Sequence, residues 1–224
     1  MNRTEFVLAA LASAAARPRT PVTADIGIKR DAPDLLVPFT VSIALRNPTH
    51  AIVPVDFPTA DFYRIDVLRD GALVWSSATH RSPVAVARRI GVRPGLTPLV
   101  YYDVDSITED RHAFAPGAYL VRVTMLGSAL TTTVERTIAF SEPVSIARVL
   151  ASKAAITTAG TTHVENGVAM LVDASGQLRL SRALGAHPEG LYVVRGTLDR
   201  SGREPVFTVD RFAPAAAEPL PSPT

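Results

Sequence analysis

The chain has 224 residues, of which 47% are hydrophobic and 6% aromatic, enough to bury the core of one large domain or two modest ones. Its 23 basic and 21 acidic residues are spread along the chain, whereas nucleic-acid-binding proteins cluster their positive charge to displace counterions from phosphates. The chain contains no cysteine, which excludes disulfides, thiolate catalysis, iron–sulfur clusters and cysteine-ligated zinc. Because the positive charge is not clustered, we expect no nucleic-acid partner.

The first residues carry the pattern of an export signal. Arg3 precedes an apolar stretch from Phe6 to Leu11, and alanines follow at the A-x-A spacing of a cleavage site. This stretch is shorter than the about twenty residues that a membrane-spanning helix needs. The sequence predicts a signal peptide over residues 1–16, no membrane span, and a periplasmic or secreted protein. The alternative is an alanine-rich N-terminal helix of a cytosolic protein.

Short strands with a buried face follow. Every second residue from Val37 to Leu45 is apolar, and the turn sequence "NPTH" ends this strand at residues 47–50. Residues 62–76 predict a hairpin with its tight turn at "RDG". Further Pro-Gly turns, each followed by an apolar strand, occur up to Phe140. The pattern predicts an all-β fold, with an antiparallel β-sandwich over residues 22–141.

A second series of strands starts after "SEP" at residues 141–143. Gly-centred turns separate the short strands of residues 144–213, and five or six strands in about seventy residues predict a small OB-like β-barrel. Three aromatic residues fit core positions of these strands: Tyr192, Phe207 and Phe212. The segment "VSIARVLASKAA" fits either a strand or a short helix. Residues 214–224 form a Pro/Ala-rich tail that we expect to be disordered.

One ordered set of motifs resembles a known family. "LRNP", with Asn47, is followed by "FPTADFYRIDVLRDG", then "ALVWSS" with Trp75 and Ser76, a "VRPG" turn and "APGAYLVRV". Over roughly residues 35–127 this order resembles the BsuPI family of intracellular proteinase inhibitors. The resemblance implies an immunoglobulin-like sandwich in which Trp75 lies on a strand after the hairpin turn. We expect Trp75 to be a core residue, and Ser76 and Ser77 to begin an exposed loop.

No local arrangement of residues predicts catalysis or a metal site. The five histidines are scattered: His50, His80, His112, His163 and His187. The acidic residues Asp103, Asp105, Glu109 and Asp110 lack the central glycine and ligand spacing of a helix–loop–helix calcium site, so we expect a solvated loop. Motifs of hydrolases, zinc proteases and nucleotide-binding proteins are absent. We expect no enzyme activity, no cofactor, and no catalytic or metal-binding residues.

The sequence thus favours a non-catalytic bacterial protein that binds another protein. The resemblance implies a narrower form, inhibition of a protease, which requires a rigid loop that enters a cleft. The candidate loops are residues 76–83 and 106–117. The alternative is a ligand- or glycan-binding C-terminal barrel, or an enzymatic one, that the sandwich presents. A deep pocket with convergent polar groups on residues 144–213 would favour this alternative.

Overall fold

The computed structural model describes residues 20–79, 86–130, 132–184 and 189–216, and in these ranges the regular structure is almost entirely β-strand. This confirms the predicted all-β class. The predicted signal peptide, residues 1–16, lies outside the described residues, as do residues 217–224 of the predicted tail.

The first nine strands form an antiparallel β-sandwich. The strand bounds are β1 (Thr23–Arg30), β2 (Phe39–Asn47), β3 (Val53–Phe57), β4 (Tyr63–Arg69), β5 (Ala72–Ser76), β6 (Arg88–Val92), β7 (Gly95–Val104), β8 (Gly117–Met125) and β9 (Thr133–Phe140). One sheet has the order β1-β2-β7, the other has the order β5-β4-β8-β9, and β3 pairs with β6 in a two-stranded ribbon.

The alternation of β2 directs one of its faces into the sandwich core. Phe39, Val41, Ile43 and Leu45 are all buried, as the period of two predicts. Strand β8 of the opposite sheet contributes buried residues in the same way, including Tyr119. The Tyr119 hydroxyl donates to the carbonyl of Ala115 at 2.8 Å, the backbone contact of the tyrosine corner in immunoglobulin-like folds. Burial raises the pKa of Tyr119.

The hairpin predicted for residues 62–76 is present as β4 and β5. Asp70 and Gly71 form its tight turn with φ values of 50° and 80°, the left-handed conformation that matches the twist of the two strands. Trp75 on β5 is only 6% exposed, so its predicted place in the core is confirmed.

The expectation for the two serines that follow Trp75 is wrong. Ser76 and Ser77 are each 2% exposed. The Ser77 amide donates to the carbonyl of Ile65 at 2.9 Å, and the Ser77 hydroxyl accepts from the amide of Ile65 at 3.0 Å. These bonds extend the contact between the two strands past β5, so the exposed loop does not begin at Ser76.

The remaining five strands form a small barrel. They are β10 (Ile156–Glu165), β11 (Val168–Asp173), β12 (Gly176–Arg179), β13 (Gly190–Asp199) and β14 (Val206–Pro214), in the order β12-β11-β10-β13-β14. A parallel bridge between Leu180 and Phe207 joins the two ends of this order, and the amide of Ser181 donates to the Phe207 carbonyl at 2.9 Å. This is a partly open Greek-key barrel, in agreement with the predicted OB-like fold.

The segment that fitted either a strand or a helix forms helix α1, Ile146–Ala151. Ile146 and Val149 are buried in the barrel core. The helix receives its N-terminal cap from the turn between β11 and β12: the amide of Ile146 donates to Asp173 Oδ2 at 2.8 Å, and the amide of Ala147 to Ser175 Oγ at 3.0 Å. A helix this short depends on such tertiary contacts.

The sandwich and the barrel share a packed junction. Val193 on β13 and Ala213 on β14 belong to the hydrophobic cluster of the sandwich. The buried Thr157 hydroxyl donates to the carbonyl of Leu35 at 3.1 Å, and Arg195 pairs with Asp34 at 2.8 Å. The barrel therefore contributes residues to the sandwich core, and it also has a separate core of its own that includes Val194 and Phe207.

Strand β14 also corrects the predicted start of the tail. Pro214 is the last residue of β14, and the amide of Ala215 donates to the carbonyl of Leu191 at 2.9 Å. Contacts with the sandwich and with β13 order these residues although their own side chains are small. Pro214 and Ala215 are thus held by backbone hydrogen bonds rather than belonging to a disordered tail.

Trp75→Ala should lower the free energy of unfolding by about 3–5 kcal/mol, because it empties a large buried site between the sheets. Leu73→Ala on the same strand is the control: Leu73 is 52% exposed, so the loss should stay below about 0.5 kcal/mol. Urea denaturation measures both. A loss below about 1 kcal/mol for Trp75→Ala would contradict its role in the core.

Candidate binding cleft between sandwich and barrel

A tight hairpin connects β7 to β8. Residues 106–114, here the 106–114 hairpin, are paired by an antiparallel bridge between Ile107 and Ala113. The amide of Thr108 donates to the His112 carbonyl at 2.8 Å, and the amide of Phe114 to the Ser106 carbonyl at 2.9 Å. These backbone bonds fix the hairpin in one conformation.

The tip of the hairpin is exposed and its base is buried. The amide of Arg111 donates to the Thr108 carbonyl at 2.9 Å and closes a turn in which Glu109, Asp110 and Arg111 are exposed. At the base, Ser106 is buried and its hydroxyl donates to the Val37 carbonyl at 2.8 Å. The hairpin therefore presents three charged residues from a rigid support.

A cleft of about 570 Å³ lies beside this hairpin, between the two units. The sandwich contributes Trp75, Tyr102 and hairpin residues, and the barrel contributes the end of β14 from Phe212 to Pro214. The rings of Trp75 and Tyr102 lie 6.1 Å apart. The charged residues of the lining are Asp103, Asp105, Glu109 and Arg111. The cleft thus combines aromatic walls with acidic and basic groups.

A smaller cavity of about 320 Å³ lies next to the cleft and shares Asp105, Ile107 and Phe212 with it. Arg182 and Arg211 line this second cavity, together with Asp210. The Arg182 guanidinium lies 5.5 Å from the centre of the Phe212 ring. On the sandwich side the two cavities carry more acidic than basic residues, and on the barrel side they carry two arginines and one aspartate.

The carboxylates considered for calcium point to different donors. Asp103 Oδ1 accepts from the Thr40 hydroxyl at 2.7 Å, Asp105 pairs with Arg211 at 2.9 Å, and Glu109 Oε1 accepts from the amide of Ser76 at 2.9 Å. In the described part of the chain, no three His, Cys, Asp or Glu residues lie close enough to hold a metal ion. All four acidic residues are exposed, as expected for a solvated segment, although Asp103 lies on β7 and Glu109 and Asp110 lie at the tip of a paired hairpin.

A buried polar network connects β4 and β5 to the 106–114 hairpin. The Ser76 hydroxyl donates to Asp66 Oδ1 at 2.7 Å, and Arg64 Nε donates to the same oxygen at 2.8 Å. Asp66 and Ser76 are both buried. Because the Ser76 amide also holds Glu109, this network links β4 and β5 to the tip of the hairpin. Sequence analysis missed it, since an Asp within a strand gives no pattern that marks it as buried.

The other residues singled out in the sequence do not converge. His50 follows β2, His112 lies in the hairpin and His163 lies on β10, while His80 and His187 lie outside the described residues. Of the predicted loop 76–83, residues 76–79 are described and 80–83 are not. Tyr192 and Phe207 are buried as predicted, whereas Phe212 is half-buried on the cleft wall.

No protein-family model matches the chain, and no curated protein is significantly similar to it. The resemblance to the BsuPI family therefore stays a prediction. Within the ranges that the structure describes, no helix has the length and apolar character needed to cross a membrane.

Asp66→Ala should lower the free energy of unfolding by about 1–3 kcal/mol, because it leaves the buried Ser76 hydroxyl without its acceptor. Asp31→Ala is the control: Asp31 forms one exposed ion pair with Lys29, so its loss should stay below about 0.5 kcal/mol. Chemical denaturation of both variants measures the difference. Equal losses would contradict a structural role for the buried network.

Proposed function

We propose that this chain is a non-catalytic binding protein that recognises a partner protein through the 106–114 hairpin and the cleft beside it. The observation that carries the proposal is the exposed tip Glu109–Arg111 on a hairpin that backbone hydrogen bonds hold in one conformation. Export to the periplasm or out of the cell, predicted from residues 1–16, is part of the proposal.

Rigidity of the hairpin favours binding in a specific way. A flexible loop loses conformational entropy when it enters an interface, and this loss reduces the affinity. In the 106–114 hairpin that cost is already met on folding, because the bridge between Ile107 and Ala113 and the turn at Arg111 fix the backbone. A partner would therefore meet the three charged tip residues in a fixed arrangement.

Composition and size of the cleft also fit a recognition site. Binding pockets commonly have volumes of about 300–1,000 Å³ and occur where two domains meet. Interface hot spots are enriched in Trp, Tyr and Arg, and the cleft lining contains Trp75, Tyr102 and Arg111. A side chain of the partner that enters the cleft would contact both the aromatic and the charged groups.

Protease inhibition is the narrower form of this proposal. It is supported by the rigid, exposed hairpin, which is the type of loop that occupies a protease cleft at low entropic cost. The alternative of a ligand-binding barrel has less support, because the cleft at the junction takes most of its lining from the sandwich and its loops.

A charge reversal at the tip tests the proposal. Asp110 is exposed, so Asp110→Lys should leave the fold intact and reduce recovery of the partner at least about tenfold, since like charges across an interface are strongly unfavourable. The matched control is Glu165→Lys, an exposed acidic residue at the end of β10 that lines neither cavity. Affinity capture with quantitative mass spectrometry compares both variants with the unaltered protein.

Recovery of the same proteins in the same amounts with all three baits would contradict the proposal. If a captured protein is a protease, its hydrolysis of a peptide substrate in the presence of increasing amounts of the chain tests the narrower form. Inhibition that Asp110→Lys weakens and Glu165→Lys preserves supports it. Undiminished hydrolysis contradicts inhibition while leaving the binding proposal in place.

A further inference from the structure

The base of the 106–114 hairpin is attached to the barrel at two points. The amide of Ala113 donates to the carbonyl of Pro214, the last residue of β14, at 2.8 Å. Asp105, the residue before the hairpin, pairs with Arg211 on the same strand at 2.9 Å. Both sides of the hairpin base therefore contact β14.

The packing between these two attachments is close. Ala113 is completely buried, and Ala213, between the two attachment residues of β14, belongs to the hydrophobic cluster of the sandwich. Phe212, Ile107 and Asp105 line both cavities. The end of β14 thus packs against the base of the hairpin.

We propose that Arg211 is a positioning residue for the recognition hairpin, and that strand β14 of the barrel clamps the hairpin in the orientation in which it binds. This inference rests on the proposed function for its biological meaning. It assigns the barrel the role of a support for a loop of the sandwich. The opposite arrangement, in which the sandwich presents a binding barrel, was the alternative from the sequence.

We expect the Asp105–Arg211 ion pair to stabilise the base of the hairpin rather than the whole fold. The Asp105 and Arg211 side chains are 63% and 50% exposed, and ion pairs this exposed contribute little to overall stability. The pair acts on a short segment that is already closed by its own backbone bonds. Its loss should therefore increase opening of the hairpin base and leave the core strands unchanged.

Hydrogen exchange on the full chain tests the clamp without a partner. In Arg211→Ala, the amides of Ala113 and Phe114 should exchange about two- to fivefold faster relative to those of β8, such as Val121, which is the range an exposed ion pair supports. The matched control is Arg179→Ala, which removes a similarly exposed barrel pair: Arg179 and Glu204 are 44% and 73% exposed. Neither residue lines either cavity.

A charge exchange separates the ion pair from other effects of the substitution. Asp105→Arg should accelerate exchange at the hairpin base as Arg211→Ala does, and the double variant Asp105→Arg/Arg211→Asp should restore slow exchange. Equal exchange rates in Arg211→Ala and Arg179→Ala would overturn the proposal. Failure of the double variant to restore protection would overturn it as well.

Failure of the clamp and failure of the proposed function give different results. If hairpin exchange responds to Arg211 but Asp110→Lys captures the same proteins as the unaltered chain, the clamp is supported and the binding proposal is wrong. If Asp110→Lys loses the partner while Arg211→Ala leaves exchange unchanged, the hairpin is the binding site and the clamp is wrong.

Discussion

Burial of two barrel residues in the core of the sandwich is the contact on which the rest of this structure depends. Val193 and Ala213 lie on adjacent strands of the barrel and pack with the sandwich cluster. Where β13 and β14 pack against the sandwich in this way, Arg195 pairs with Asp34 and the Pro214 carbonyl accepts from the amide of Ala113. The cleft exists because these contacts bring the end of β14 beside the hairpin.

This contact also explains how polar groups come to be buried at the junction. Thr157 loses its water when the barrel packs on the sandwich, and its hydroxyl finds a replacement acceptor in the carbonyl of Leu35. Arg195 Nη1 contacts the same hydroxyl at 3.3 Å while it pairs with Asp34. The orientation of the two units is thus determined by directional bonds as well as by apolar packing.

The sequence predicted features that depend on local periodicity and turn chemistry. The alternation of β2, the Asp70–Gly71 turn and the burial of Trp75 all follow from such patterns. Asn47 was correctly placed at a strand end. The side-chain amide of Asn47 donates to the carbonyls of both Ala51 and Val92. These bonds could not be inferred, since Val92 comes from a distant strand.

Features that depend on contacts between distant segments were wrong or missing. Ser76 and Ser77 resemble loop residues until their partners Asp66 and Ile65 are known. In the sequence, Pro214 and Ala215 resemble the start of a flexible tail. Their hydrogen-bond partners, Ala113 and Leu191, are distant in the sequence and could not be inferred from it. The cleft was missed for the same reason: its walls come from β5, β7, the hairpin and β14, which are far apart in the sequence.

The position of Trp75 has an optical consequence. It is the only tryptophan in the chain, and it lies where the sandwich core meets the cleft. Its indole is largely shielded from water, yet the hairpin, Tyr102 and the end of β14 surround the same space. All tryptophan fluorescence therefore comes from one site. The emission of the natural, unlabelled protein is a spectroscopic probe of events in the cleft.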